Sequence, residues 1–233
     1  MIGFACAKHF PSRNHGERRD VTTPDLIILH YTAMSGTEVA LERLCSSEHE
    51  VSAHYLIAND GEVFQLVSED RRAWHAGKSS WQGTYDINSR SIGIELDNAG
   101  THPFSFLQMR SLIHLCKDIQ KRWSIGPHAV LGHSDIALGR KADPGRRFDW
   151  EGLARLGVGV WPRNVPRRSV SERDFLKAAS HIGYDVSGGL SSVLDAVRLR
   201  FAPSRTGPLS AADCTLIDAL EQAFVIDPSA KTA

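Results

Sequence analysis

The sequence has no excess of either charge: 27 lysines and arginines face 27 aspartates and glutamates over 233 residues. A chain so balanced is not built for broad electrostatic capture of nucleic acid or of an anionic membrane. It lacks any run approaching the roughly 20 apolar residues that a membrane-spanning helix needs, so no membrane span is expected. Its four cysteines, Cys6, Cys45, Cys116 and Cys214, are scattered and form no C-x-x-C pair, which argues against a disulfide framework. Cys45 and Cys116 fall in apolar helical patterns and read as small buried hydrophobes. Zinc-finger and H-E-x-x-H spacings are missing too. The apolar start, Met1 to Cys6, is too short for a signal-peptide core. The location expected from the sequence is therefore cytoplasmic, or periplasmic where a leader precedes it.

What is present is an ordinary globular composition, 42% hydrophobic and 23% charged, enough for one α/β domain and a small accessory module. Leu26 to Tyr31, "LIILHY", is a short β-branched run behind Pro24-Asp25 and reads as a buried strand. Gly36 to Glu48 carries Val39, Leu41 and Leu44 at helical spacing. Strand-like runs at His54–Ala58 and Val63–Val67 flank Asn59-Asp60-Gly61, where Asp-Gly supplies the positive φ of a tight hairpin. Ser91 to Asp97 is another strand. Phe104 to Trp123 sets Leu107, Leu112, Leu115, Ile119 and Trp123 on one face of a long helix. Val130–Leu131 is a short strand, and Asp149 to Leu156 a helix with Asp149 as N-cap.

The composition then shifts. Gly157 to Arg168 holds two prolines and two glycines without a sustained period and reads as a linker. Three short helical patterns follow, Ser171–Ile182, Leu190–Phe201 and Ser210–Phe224, with Ser171 and Ser210 as N-caps and Gly183 and Pro203 as stops.

With 11 histidines in the chain, position is the useful filter. His30 ends an apolar strand, His133 follows a short strand and a glycine, and Asp143 lies in the loop "LGRKADPGRRF". Two imidazoles and a carboxylate would make a catalytic zinc site with one position left for water. Spacing alone leaves open core histidines and helix-capping loop residues. Glu95 alternates with Ile92, Ile94 and Leu96. It is either a buried carboxyl of raised pKa, as a general acid/base needs, or the wet face of an edge strand. Lys141 could face an oxyanion or be a solvated loop lysine.

Taken together, "LIILHYTA", "VSAHYLIANDGEVFQLVSEDRRAWHAG", "INSRSIGIELDN" and "LGHSDIALGRKADPGRRFDW" resemble the type-2 N-acetylmuramoyl-L-alanine amidases. That family also includes phage lysozyme-like amidases and animal peptidoglycan-recognition proteins, and the match covers Asp25 to Trp150. The resemblance implies an α/β fold with a central mixed sheet flanked by helices. It implies one Zn2+ per chain held by His30, His133 and Asp143, with Glu95 as the acid/base that activates water and later protonates the leaving amine. Lys141 becomes the oxyanion stabiliser. His54 and His75 match family positions as structural or outer residues, and Trp74, His75, Trp81 and Asn88 are candidates to wall a substrate groove. Phage and animal members commonly carry cysteine at the place of Asp143 and tyrosine at that of Ala53, so this chain looks like a bacterial Asp-ligand branch.

The C-terminal motifs "DFLKAASHIGYDV", "VLDAVRLRFAP" and "GPLSAADCTLIDAL" resemble a three-helix peptidoglycan-binding domain. The expected organisation is a catalytic domain over 1–157, a linker over 158–169, a helical module over 170–226 and a tail over 227–233. The implied activity is hydrolysis of the amide between N-acetylmuramic, or 1,6-anhydro-N-acetylmuramic, acid and L-alanine. The implied partners are peptidoglycan or muropeptides, with no nucleic acid and no protein partner. Two other readings stay open: a recognition protein that binds peptidoglycan without cutting it, and a zinc peptidase acting on the stem peptide.

Overall fold

The computed structural model describes residues 3–163, 166 and 168–224. The expected tail at 227–233, and residues 164, 165 and 167 of the expected linker, lie outside the described residues. The strands are β1 (Lys8–His9), β2 (His15–Gly16), β3 (Leu26–Tyr31), β4 (Tyr55–Ile57), β5 (Val63–Gln65), β6 (Arg72–Ala73), β7 (Ser91–Leu96) and β8 (Val130–Gly132). Six of them form one mixed sheet in the order β1-β5-β4-β7-β3-β8, and β2 pairs with β6. The helices are α1 (Thr37–Cys45), α2 (Ile87–Arg90), α3 (Phe106–Trp123), α4 (His133–Ile136), α5 (Trp150–Arg155), α6 (Glu172–Ile182), α7 (Gly189–Phe201) and α8 (Ala211–Phe224). The architecture is the expected α/β fold, a mixed sheet flanked by helices.

The centre of the sheet is parallel: β3 lies between β7 and β8 and runs with both. Such strands are buried on both faces, which is why "LIILHY" and "SIGIEL" are almost continuously apolar. The hairpin at Asn59-Asp60-Gly61 joins antiparallel β4 and β5. Gly61 has φ 88°, and a Cβ there would lie 2.7 Å from the Leu107 carbonyl oxygen, so the turn needs glycine for conformation and for space.

Helix positions follow the periodicity with two exceptions. Val39 and Leu107, both expected on core faces, are 48% and 41% exposed. Each lies in the first turn of its helix, beyond the edge of the layer that Leu41 and Leu44, or Leu112, Leu115 and Ile119, bury. Ser105, Asp149 and Ser171 cap α3, α5 and α6 through their side chains. Ser210 differs: its hydroxyl donates to Asp213 Oδ2 at 2.6 Å. β1, β2 and β6 have two residues each, too short to show a period.

The apolar core is continuous from the sheet into the C-terminal helices. Ile27, Ile94 and Trp150 belong to the same buried cluster as Phe175, Val197, Ile217 and Phe224. Trp81 packs edge-on against Tyr184, with ring centroids 5.1 Å apart.

Candidate metal centre and active site

The sheet register assembles the site. His30 and Glu95 are direct partners across β3 and β7, and Leu29 is paired with Gly132, so the next residues along, His30 and His133, come side by side. All three stand at the carboxyl ends of parallel strands, where α/β folds place their ligands. Asp143 arrives from the loop after α4, tied down by a bond from Ser134 N–H to its backbone oxygen at 2.9 Å.

His30 Nδ1 and His133 Nδ1 are 2.9 Å apart, and each is 3.0 Å from Asp143 Oδ2. All three residues are buried. The surrounding bonds assign the tautomers. His133 Nε2 lies 3.1 Å from the Ala76 carbonyl oxygen, which can only accept, and 3.4 Å from Arg140 Nη2, which can only donate. The shorter contact puts the hydrogen on Nε2 and leaves Nδ1 of a neutral ring bare. Ser91 Oγ donates to the Ile87 carbonyl at 2.6 Å and so accepts from His75 Nε2 at 3.1 Å. His75 Nδ1 is then bare and accepts from His30 Nε2 at 3.0 Å, which leaves His30 Nδ1 bare as well. Three lone pairs therefore converge with no hydrogen between them.

A divalent cation resolves that arrangement. Zinc bound at about 2.0–2.1 Å in a tetrahedron would hold its ligand atoms about 3.3 Å apart, close to the spacing here. Two neutral imidazoles and one carboxylate suit it chemically. Burial, and then the neighbouring His133 ring, push His30 down to about 4, so this ligand is neutral at physiological pH.

Glu95 Oε2 is buried without a hydrogen-bond partner among the described residues. Burial first, then the Asp143 carboxylate, push the Glu95 carboxyl up to about 8, against the pull of Lys141. β7 lies between β4 and β3 in the sheet, so Glu95 is not on an edge strand. Lys141 is exposed, two residues before Asp143, and its charge acts on both Glu95 and His30.

The groove candidates separate. Trp74 is half-buried, with its backbone held by Ser52. Trp81 is only 2% exposed and packs into the core, so it offers no face to a ligand. Asn88 is buried, and its Oδ1 accepts from the backbone N–H groups of His75 and Ala76 at 3.0 and 2.8 Å; it shapes the 75–76 turn. His75 touches His30, whereas His54 holds strands together, accepting from Gly93 N–H at 3.0 Å and lying 3.0 Å from the Arg71 carbonyl. Ser91, Asp135, Tyr184 and Arg200, which support the site from outside, carried no motif that marks them.

Two imidazoles and a carboxylate converging beside the Glu95 carboxyl define a metal-assisted hydrolase site on an α/β sheet. Residues 20–146 match the N-acetylmuramoyl-L-alanine amidase family model, and the chain belongs to that family. The N-acetylmuramoyl-L-alanine amidase AmiD of Escherichia coli K12 is 35% identical over 210 residues, covering 77% of this chain and 75% of that protein. The 1,6-anhydro-N-acetylmuramyl-L-alanine amidase AmpD of Enterobacter cloacae is 35% identical over 161 residues, 62% of this chain and 86% of its own. Among solved structures, E. coli AmiD with anhydro-N-acetylmuramic acid-L-Ala-D-γ-Glu-L-Lys superposes with TM-score 0.78 at 31% identity, over 91% of this chain and 98% of that one. Pseudomonas aeruginosa AMPDH3 gives TM-score 0.76 at 29% identity, over 95% and 98%.

Proposed function

We propose that the chain hydrolyses the amide between N-acetylmuramic or 1,6-anhydro-N-acetylmuramic acid and L-alanine, using zinc held by His30, His133 and Asp143. The observation that carries this is the triangle of bare donor atoms, 2.9 to 3.0 Å on each side, beside Glu95, whose buried Oε2 has no hydrogen-bond partner among the described residues. When bound, zinc supplies Lewis acidity, polarising the scissile carbonyl and making a water acidic near neutrality. Glu95 takes the proton of the attacking water on Oε2 and returns it to the alanine nitrogen as the amide breaks. Lys141, whose charge acts on Glu95 and His30, offsets the negative charge that develops on the carbonyl oxygen. The buried ligands exclude competing water from the donor atoms.

The aspartate at 143 supports placing the chain in the bacterial Asp-ligand branch. Its relatives AmiD and AMPDH3 have structures bound to an anhydromuramyl tripeptide and an anhydromuramic pentapeptide, which supports muropeptides as ligands. We assign 1–157 to catalysis, 158–169 to a connection and 170–226 to a helical wall-binding module. The likeness to AmiD and AMPDH3 runs over more than nine-tenths of the chain, whereas AmpD is matched over 62%. The additional helices favour activity on wall polymer and its fragments, and hence a periplasmic site of action. No described helix is long and apolar enough to cross a membrane.

The test is product analysis on two substrates, an anhydro-muropeptide and the same stem peptide without its sugar. Release of L-alanine-headed peptide from the first alone supports the amidase. Cleavage inside the sugar-free peptide would favour the zinc peptidase instead.

A further inference from the structure

The proton on His30 is decided two residues away from the metal site. His30 Nε2 faces another imidazole, His75 Nδ1, at 3.0 Å, and an imidazole can meet that contact as donor or as acceptor. If His75 carried its hydrogen on Nδ1, His30 Nε2 would have to be bare. The hydrogen of the neutral His30 ring would then sit on Nδ1, where it blocks the metal. What excludes this is Ser91. Its hydroxyl hydrogen goes to the Ile87 carbonyl at 2.6 Å, so toward His75 Nε2, 3.1 Å away, it can only accept. His133 has no such relay: its outer nitrogen lies 3.1 Å from a backbone carbonyl, nearer than the 3.4 Å to Arg140 Nη2.

The His75 ring is held for this purpose from several sides. It lies against Gly93 of β7, where a Cβ would come within 2.4 Å of the ring. Its backbone N–H is fixed by Asn88 Oδ1 at 3.0 Å, and its edge meets the His30 ring with centroids 5.0 Å apart. Gly93 in "SIGIEL" is thus the space that the relay occupies.

We propose that Ser91 and His75 are positioning residues that lock His30 in the tautomer and ring orientation presenting Nδ1 to the metal. The inference rests on His30 being a metal ligand. The relay is Ile87 C=O, Ser91 O–H, His75 Nε2–H, His30 Nε2–H, each group donating to the one before it. Outer partners of metal-bound histidines fix tautomer and orientation in this way, and their loss typically weakens metal binding 10- to 100-fold.

The experiment measures zinc affinity by competition with a chromophoric chelator for the full chain and for Ser91→Ala, His75→Phe and His75→Asn. Ser91→Ala and His75→Phe should lose about 10- to 100-fold in affinity. His75→Asn, whose side-chain oxygen can accept in place of Nδ1, should keep most of it. A purely structural role would not separate Asn from Phe at position 75. Histidine 15N shifts of the zinc-loaded unaltered protein give a second reading that needs no variant: hydrogens on Nε2 of both His30 and His75. Unchanged affinity in folded Ser91→Ala, or a hydrogen on Nδ1 of His75, overturns the relay while leaving the zinc site intact. Failure of the unaltered chain to take up zinc overturns the functional reading itself, and the relay with it.

Discussion

Arg200 of α7 and Asp135 of α4 form an ion pair in which both side chains are essentially inaccessible to solvent. Asp135 lies two residues after His133 and also accepts from Gly132 N–H at 2.7 Å and Tyr184 Oη at 3.0 Å. Arg200 donates in addition to the Val130 carbonyl at 3.1 Å and stacks on Trp150 at 3.8 Å. The turn that carries a candidate metal ligand is therefore fastened by the C-terminal helices. Removing one partner strands a buried charge, at a cost of about 3–5 kcal/mol. Arg200→Ala should destabilise the chain by that order in urea unfolding and also lower zinc affinity. The apolar pair Arg200→Met with Asp135→Leu should recover only part of the stability, because Gly132 N–H and Tyr184 Oη lose their buried acceptor. A loss of less than about 1 kcal/mol in the single variant, the size of an exposed pair, would show that the clamp is not what holds this turn.

Glu95→Gln keeps the shape of the side chain and removes its proton chemistry. Zinc content should be unchanged while turnover falls by about 10²- to 10⁴-fold, the usual weight of a general acid–base group. Activity retained in a folded, zinc-loaded variant would remove Glu95 from the mechanism.

Lys141 is exposed, so replacing it should cost little stability. Lys141→Met should lower kcat by about 10²- to 10³-fold, as loss of an oxyanion donor does, with zinc affinity little altered. Steady-state kinetics beside metal analysis reads both. A change confined to KM would make Lys141 a binding residue.

Above about pH 6.5 the metal-free protein should lose stability as pH rises through the Glu95 titration. Below it, His30 and His54, both lowered by burial, oppose that effect, because the unfolded chain takes up protons that these buried rings do not. Glu95 titrates near 4.5 when unperturbed and is pushed up to about 8 by burial and the Asp143 carboxylate. Between those values the folded state holds a proton that the unfolded chain releases. Its contribution is full below about pH 4.5 and is lost as pH rises through 8, with a slope of at most about 1.4 kcal/mol per pH unit. Metal-free Glu95→Gln should lack that slope. Urea unfolding across pH 5 to 9 checks it, and parallel profiles for the two proteins would mean that Glu95 is not held protonated.

Much of the fold was legible because local signals agree with it. "LIILHY" and "SIGIEL" are buried on both faces and read as strands, and Asp60-Gly61 marks the hairpin. His30, Glu95, His133 and Asp143 could be named individually and by resemblance. What brings them together was not legible from spacing, since β3 is inserted between β7 and β8, and no local pattern encodes a pairing so distant in the chain. Trp81 looked like a groove aromatic because a tryptophan in a loop gives no sign of which way it faces. Its place between Tyr184 and Phe224 depends on helices a hundred residues further on. Ser91 was invisible as a support of the site, since its part comes from one hydrogen's direction, set by the Ile87 carbonyl.

The central claim is that a metal bound at His30, His133 and Asp143 drives amide hydrolysis at the muramoyl–alanine bond. The most direct test is metal analysis of the purified chain together with mass spectrometry of a defined anhydro-muropeptide, before and after a chelator and after added zinc. The expected result is one zinc per chain and release of a peptide beginning with L-alanine, abolished by the chelator and restored by zinc. Undiminished cleavage in chelator-treated protein shown to contain no metal, or stoichiometric zinc with no cleavage of this bond, would contradict the account.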